Sequence, residues 1–333
     1  MAKRLGILGA GRIGQVHARA IAQSRDAELA AISDPVPAAA RAMADIYGCS
    51  IRTADEIITA SDIDAVIICT PTDLHANQIE QCARAGKAIF CEKPIDLDSA
   101  RVRDVLDVVT AESCPLMVGF NRRFDPHFAQ VRAEIEAGKI GTPEMAVIIS
   151  RDPGAPPAEI LTRSGGIFRD MTIHDFDMSV FLMGEMPSEV QATGSVLTDP
   201  EIARFGDFDS ASIMLKMPSG SQVVISNSRR ASYGYDQRIE VHGSKGMISA
   251  ENQRPVSVEL ATSDGYLRPP LHHFFMTRYI DAYANELAHF IQHLTAGTAP
   301  QPSGRDGLNA LLIADAAYLS AQTGQAVRLD NAS

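Results

Sequence analysis

RLGILGAGRIG, residues 4–14, decides the fold. Its first half runs from Leu5 to Leu8 and is the kind of apolar stretch that forms a strand covered on both faces. Its second half is Gly9-Ala10-Gly11-Arg12-Ile13-Gly14, and a helical apolar pattern follows over Ile13–Ser24. Each glycine has its own reason. Gly9 permits the tight turn, Gly11 lets the backbone approach a pyrophosphate seated on the helix N-terminus, and Gly14 lets helix and strand pack closely. An acidic residue should close the second strand roughly 20 residues on. Asp34 stands there, able to accept hydrogen bonds from an adenosine ribose. The alternative is a glycine-rich turn without a ligand; strand, helix and Asp34 together weigh against it.

Working outward, apolar runs at 27–33, 65–69, 88–91 and 116–120 alternate with helical patterns at Val36–Tyr47, Leu74–Ala85 and Asp98–Ala111. This alternation predicts a doubly wound parallel sheet with right-handed crossovers. The pattern changes after residue 121. A helix is expected over Pro126–Ala137, a strand over Glu144–Ser150, and a helix from near Asp170 to Gly184. Alternating runs follow at Glu189–Val196, Ser210–Met217, Gln222–Ser228, Arg238–His242 and Val256–Leu260, and helices return at Phe274–Thr295 and Gly304–Gln322. The expectation is an α/β chain. Residues 1–121 form an N-terminal Rossmann domain, and residues 122–333 form a C-terminal α/β domain on a mostly antiparallel open sheet. A length of 333 residues agrees, being too long for one core.

Composition narrows the function. A net charge of −11 repels phosphate backbones and argues against a nucleic-acid partner. The five cysteines, at 49, 69, 82, 91 and 114, form no CxxC pair and two of them sit in apolar strand-like runs. This is thiol usage of a reducing compartment, so a cytoplasmic location is expected. No run reaches the ~18 apolar residues of a membrane span, and a strand begins almost at the N-terminus, so no membrane partner or signal peptide is expected.

Two motifs carry reaction chemistry. Glu92-Lys93-Pro94 directly follows a buried strand, and ligands of open parallel sheets bind beyond the carboxyl ends of their strands. Lys93 is therefore expected where a nicotinamide would lie; the bland alternative is a solvated surface lysine. Asp170 and His174 stand four apart, on one face of the expected helix, where a carboxylate would orient an imidazole and raise its basicity. The bland alternative is a helix-start Asp beside a satisfied core His. A metal site is a weaker rival, because no third ligand has recognisable spacing, and none is expected; His272-His273 is likewise no metal motif.

GAGRIG (9–14), CTPTDLHA (69–76), FCEKPI (90–95), GFNRRFDP (119–126) and GGIFRDMTIHDFDM (165–178) together resemble the Gfo/Idh/MocA oxidoreductases. SRDPGAPP (150–157), NSRRASYGYDQRIEVHGSKG (227–246) and ENQRPVSVE (251–259) narrow the resemblance to the family's inositol-oxidising members, over nearly the whole chain. The resemblance implies NAD as cofactor, held by Gly9, Gly11, Arg12, Ile13, Gly14, Asp34, Thr70, Pro71, His75, Glu92 and Lys93. It implies Lys93, Asp170 and His174 as catalytic residues, which also bind substrate together with Asn121, Arg123, Asp152 and Tyr235. Arg123 has a second reading as a salt-bridging residue at the domain junction. His174 would take the hydroxyl proton, Lys93 would stabilise the developing alkoxide, and Asp170 would support the base. The implied activity is oxidation of myo-inositol to a 2-keto inositol by a homotetramer packed through its open sheets. Oxidation of scyllo-inositol or a pyranose sugar, other chemistry through a keto intermediate, and a non-catalytic NAD sensor remain as alternatives.

Overall fold

The protein is described over residues 2–329 in a computed structural model, and it divides into two compact units. The first holds the chain up to Asp125 together with Ile280–Leu311; the second holds Pro126–Tyr279 and the chain from Leu312 on.

The first unit alternates strands and helices from its start: β1 (Lys3–Leu8), α1 (Arg12–Gln23), β2 (Ala27–Ser33), α2 (Pro37–Tyr47), β3 (Ser50–Ile51), α3 (Ala54–Thr59), β4 (Ala65–Ile68), α4 (Thr72–Arg84), β5 (Ala88–Glu92), α5 (Ser99–Ala111) and β6 (Leu116–Gly119). The six strands form one parallel sheet in the order β3-β2-β1-β4-β5-β6. The order reverses between β1 and β4, which makes their carboxyl ends the place where such sheets bind ligands. The strands read as unbroken apolar runs because both faces are covered: Ile7, Ile67, Phe90 and Met117 are buried on one face, and Leu8, Ile68, Cys91 and Val118 on the other. β3 and α3 carry too few apolar residues for a periodicity to show. A capping box does mark α3, with the Thr53 hydroxyl accepting from the Glu56 amide while the Glu56 carboxylate accepts from the Thr53 amide.

The second unit begins with α6 (Pro126–Glu136), β7 (Pro143–Arg151), α7 (Ala158–Leu161), α8 (Ile167–Asp170) and α9 (Ile173–Met183). It continues through β8 (Glu189–Ser195), β9 (Ser210–Lys216), β10 (Gln222–Ser228), β11 (Asp236–Gly243), β12 (Gly246–Ala250), β13 (Leu260–Thr262), β14 (Gly265–Leu267) and α10 (Phe275–Arg278). The chain ends through α11 (Ile280–Ala296), α12 (Gly304–Thr323) and β15 (Val327–Arg328). Seven strands form a mixed sheet in the order β12-β11-β7-β10-β9-β8-β15, in which β10 and β7 run parallel and the other pairs antiparallel. Period-two alternation sends Ile213, Leu215, Val223, Ile225 and Val241 into the core and leaves Met145, Val147, Met214, Val224 and Met247 on an exposed face.

Four expectations need correction. The sequence reading gave everything after residue 121 to the second domain, but α11 returns to the first unit. Leu287, Phe290 and Ile291 join the core cluster that holds Leu5, Ile7, Phe90 and Met117, and the Val118 amide donates to the Pro302 carbonyl at 2.9 Å. A local pattern cannot say which of two cores an amphipathic helix covers. The expected helix over Phe274–Thr295 is two helices, because Tyr279, buried and stacked against the Arg278 guanidinium, interrupts it. The expected strand over Val256–Leu260 does not form: Val256 and Val258 are exposed and lie before the paired hairpin of β13 and β14, which begins at Leu260. The expected helix from Asp170 to Gly184 breaks at Met171–Thr172, for reasons that belong to the site. Among the described residues no helix is long and apolar enough to cross a membrane.

Candidate active site

In the first unit the site is built from backbone. Gly9 has φ +103°, and a Cβ there would lie 2.6 Å from the Cys69 carbonyl oxygen at the end of β4. A Cβ on Gly14 would overlap the Gly9 carbonyl oxygen itself. α1 therefore packs backbone on backbone across the carboxyl ends of β1 and β4. At Gly11 the direction a Cβ would take is open, with nothing within 4 Å. That opening lies where the first amides of α1 have no intrahelical partners, so the cradle fits the pyrophosphate of a dinucleotide. Arg12 is exposed at the helix start, while Ile13 packs inward against the core.

Asp34 closes β2 and ties the turn to it. One carboxylate oxygen accepts from the Ala10 amide at 2.6 Å, the other from the Val36 amide at 2.8 Å. Each oxygen keeps a further lone pair for a ribose hydroxyl. Beside the turn, the Cys69–Thr70–Pro71 segment leads into α4. There His75 is buried with one ring nitrogen 2.8 Å from the Pro94 carbonyl and the other 2.7 Å from the Thr70 carbonyl. Burial pushes the His75 pKa down, against the pull of the two carbonyls. His75 thus sits between two loops with both ring nitrogens facing backbone carbonyls, and as a neutral imidazole it donates its single N–H to one of them. The second loop carries Lys93, which is half-buried just beyond the end of β5. Its neighbour Glu92 is buried, with its carboxylate 2.6 Å from His17 on α1. Glu92 thereby ties β5 to α1.

Asn121 and Arg123 lie on a short 3₁₀ turn, Asn121–Phe124, in the same unit. Asn121 is buried. Arg123 pairs with Asp306 at 2.9 Å. Burial alone would raise the Asp306 pKa, but Arg123 and the Ser303 donors hold it below the usual range. Both members of this ion pair lie within the first unit.

In the second unit Asp170 is the last residue of α8 and His174 lies in the first turn of α9, so they do not share one face of a regular helix. The Thr172 amide reaches back five residues to Ile167, at 2.9 Å, and the His174 amide reaches only Met171, at 3.4 Å. Side chains impose this change of register. The Thr172 hydroxyl donates to the Asn227 side-chain oxygen at 2.6 Å, and the Asn227 amide donates to Asp175 at 2.8 Å. Ser150 completes the network by donating to the other Asp175 oxygen at 2.6 Å. All four are buried, and the network staples the α8–α9 corner to β7 and β10. Asp170 faces the other side of that corner, 3.7 Å from the Arg229 guanidinium. Asp152 and Tyr235 stand just past the Arg151–Asp236 end of the β7–β11 pairing, where the Asp152 amide donates to the Ser228 carbonyl at 2.9 Å and the Tyr235 amide to the His272 carbonyl at 2.9 Å.

The sequence reading missed Asn227, Asp175, Arg229 and Asp207. One signal for them was available. Val223, Ile225, Asn227 and Arg229 share the inward parity of β10, and a polar residue at a core position must have buried partners. Among the described residues no group of three or more His, Cys, Asp or Glu side chains is arranged to hold a metal ion.

A glycine turn at the switch point of a parallel sheet, closed by an acid, defines a dinucleotide-binding protein of the Rossmann class. Family models described as "Oxidoreductase family, NAD-binding Rossmann fold" and "GFO/IDH/MocA C-terminal domain" match residues 3–120 and 128–249. The chain is 63% identical over 320 residues to an inositol 2-dehydrogenase of Rhizobium meliloti (strain 1021), covering 96% of this chain and 97% of the relative. It is 36% identical to a scyllo-inositol 2-dehydrogenase (NAD(+)) of Bacillus subtilis (strain 168), covering 98% and 96% of the two. A crystal structure of a myo-inositol dehydrogenase from Corynebacterium glutamicum superposes with a TM-score of 0.95 at 43% identity, covering all of both chains. This chain belongs to the Gfo/Idh/MocA family of oxidoreductases.

The Asn227 network generates a prediction. Asn227→Leu keeps the volume but leaves Thr172 without its Asn227 acceptor and removes the donor to one of the two Asp175 oxygens. Unfolding of the second unit in urea should become easier by about 1–3 kcal/mol, while NAD affinity changes little. An unchanged urea midpoint would show that the network does not hold the corner.

Proposed function

We propose that this protein oxidises myo-inositol to 2-keto-myo-inositol (scyllo-inosose) with NAD, as a step in inositol breakdown. One observation carries the reading. The Rossmann switch point, the Lys93 loop and the Asp170–His174 corner all stand in a chain 63% identical, over nearly its whole length, to an inositol 2-dehydrogenase.

When bound, NAD supplies the acceptor that takes hydride from the substrate carbon. The protein's own residues do the rest. His174 accepts the hydroxyl proton on a ring nitrogen as the C–H bond breaks and the carbonyl forms. The Lys93 ammonium stabilises the negative charge that grows on the oxygen. Asp170, paired with Arg229, binds a neighbouring hydroxyl. Asn121, Asp152 and Tyr235 take the remaining hydroxyls, and Arg123 serves its ion pair with Asp306. A site this polar suits a neutral molecule with many hydroxyls, because an apolar alcohol would leave buried groups unpaired.

NAD is the cofactor rather than NADP, because the 2′-phosphate of NADP would meet the Asp34 carboxylate and no arginine follows in Asp34-Pro35-Val36-Pro37. The five described cysteines are all free thiols, which suits a cytoplasmic enzyme. The exposed sheet face around Val147, Val224 and Met214 supports assembly into a homotetramer. The similarity to a scyllo-inositol 2-dehydrogenase supports one second reading, scyllo-inositol as the preferred substrate.

Cofactor preference is tested first: kcat/KM with NAD should exceed that with NADP, and Asp34→Ser should narrow the gap. Equal or better use of NADP by the wild type would overturn the assignment.

Substrate and roles are tested together by following NADH formation with myo-inositol, scyllo-inositol and D-glucose. Myo-inositol should give the highest kcat/KM. Lys93→Ala and His174→Ala should each lower kcat by ~100-fold or more with NAD binding kept. A tenfold preference for scyllo-inositol would establish the second reading. Near-wild-type turnover in either variant would remove that residue's role.

A further inference from the structure

Arg229 lies one residue past β10 and, although charged at every physiological pH, is almost fully buried. A buried guanidinium is tolerated only with carboxylates to meet it. Two are present. Its Nη2 stands 3.3 Å from an oxygen of Asp207 and 3.7 Å from an oxygen of Asp170. The other oxygen of Asp207 accepts from the Ile167 amide at 2.7 Å, and Ile167 and Asp170 are the first and last residues of α8. Asp207 thus grips the start of that short helix directly and its end through Arg229. The anchor is itself fixed. The Arg229 amide donates to the Asp209 carbonyl at 2.7 Å, and the buried Asp209 carboxylate accepts from the amides of Leu197, Thr198 and Asp199.

We propose that Asp207 and Arg229 are positioning residues for the oxidation, forming a buried carboxylate–guanidinium strut that holds the Asp170 carboxylate correctly aimed. The inference rests on the role given to Asp170 above and extends it to residues that touch no substrate. The charge count fits. Two carboxylates face one guanidinium, so one negative charge is left over. Asp170 is the exposed member, at 29% against 5% for Asp207, so the surplus falls on the side open to solvent. Burial pushes the Asp207 pKa up, Arg229 pulls it back, and the Asp170 charge pushes it up again, so the three groups act on one another.

The test is a double-mutant cycle in the full-length protein, with Arg229→Gln, Asp170→Asn and the pair, reading kcat and KM for myo-inositol at saturating NAD. Thermal melts and NAD titrations serve as folding controls. Arg229→Gln should lower kcat/KM by about tenfold or more in the wild-type background and by less than about threefold once Asp170 is already Asn. Arg229→Lys, which restores the charge, should recover most of the loss. Should Arg229→Gln fail to fold, Asp207→Asn, which keeps the acceptor for Ile167, takes its place in the cycle. Equal losses in both backgrounds would overturn the strut, because the arginine would then act on stability and not through Asp170. Wild-type activity in Asp170→Asn alone would instead overturn the role of Asp170, and the strut with it.

Discussion

Backbone packed on backbone at Gly9, Gly14 and Cys69 is the constraint on which the cofactor-binding unit depends. Because no side chain intervenes, α1 can begin directly over the carboxyl ends of β1 and β4, and its free amides point at the switch point of the sheet. The consequences pass outward through short contacts. Gly9 packs on Cys69, and the next carbonyl, that of Thr70, bonds His75. The other ring nitrogen of His75 faces the Pro94 carbonyl at 2.8 Å, and Lys93 is the residue before it. The lysine is held in place through this chain of contacts. Ala at Gly14 would force the helix away from Gly9 and disturb every later link.

The second unit solves a different problem. Its α8–α9 corner is held not by apolar packing alone but by two polar devices, one on either side of it. Thr172, Asn227, Asp175 and Ser150 form one, and Asp170, Arg229 and Asp207 form the other. Buried polar groups are costly unless fully partnered, and a partnered network fixes geometry more sharply than apolar packing does. Both devices reach the corner from one strand, since Asn227 and Arg229 share the inward parity of β10. That strand is therefore the scaffold of the Asp170–His174 corner.

The parallel sheet, the glycine turn and Asp34 were legible in the sequence, because each is a local pattern with one physical solution. Lys93 was legible for a related reason: a strand end in an open sheet is a position, not a contact. The break between Asp170 and His174 was not legible. The backbone there stays in helical dihedral space, and what shifts its register is a hydrogen bond to Asn227, 55 residues away in sequence. The return of α11 to the first core was hidden likewise, since Leu287, Phe290 and Ile291 make an apolar stripe that either unit could cover. Arg123 shows the converse case. Its motif suggested a substrate contact, and its ion pair with Asp306, far along the chain, points to a structural duty.

In the proposed oxidation a C–H bond of a cyclic polyol is broken, its hydrogen passing directly to NAD while the protein manages the hydroxyl proton. Myo-inositol deuterated at C2 tests it most directly. Incubated with the protein and NAD, it should yield NADH that carries the deuterium, with none released to solvent. Unlabelled NADH with the deuterium recovered in water, or no NADH at all, would contradict the account.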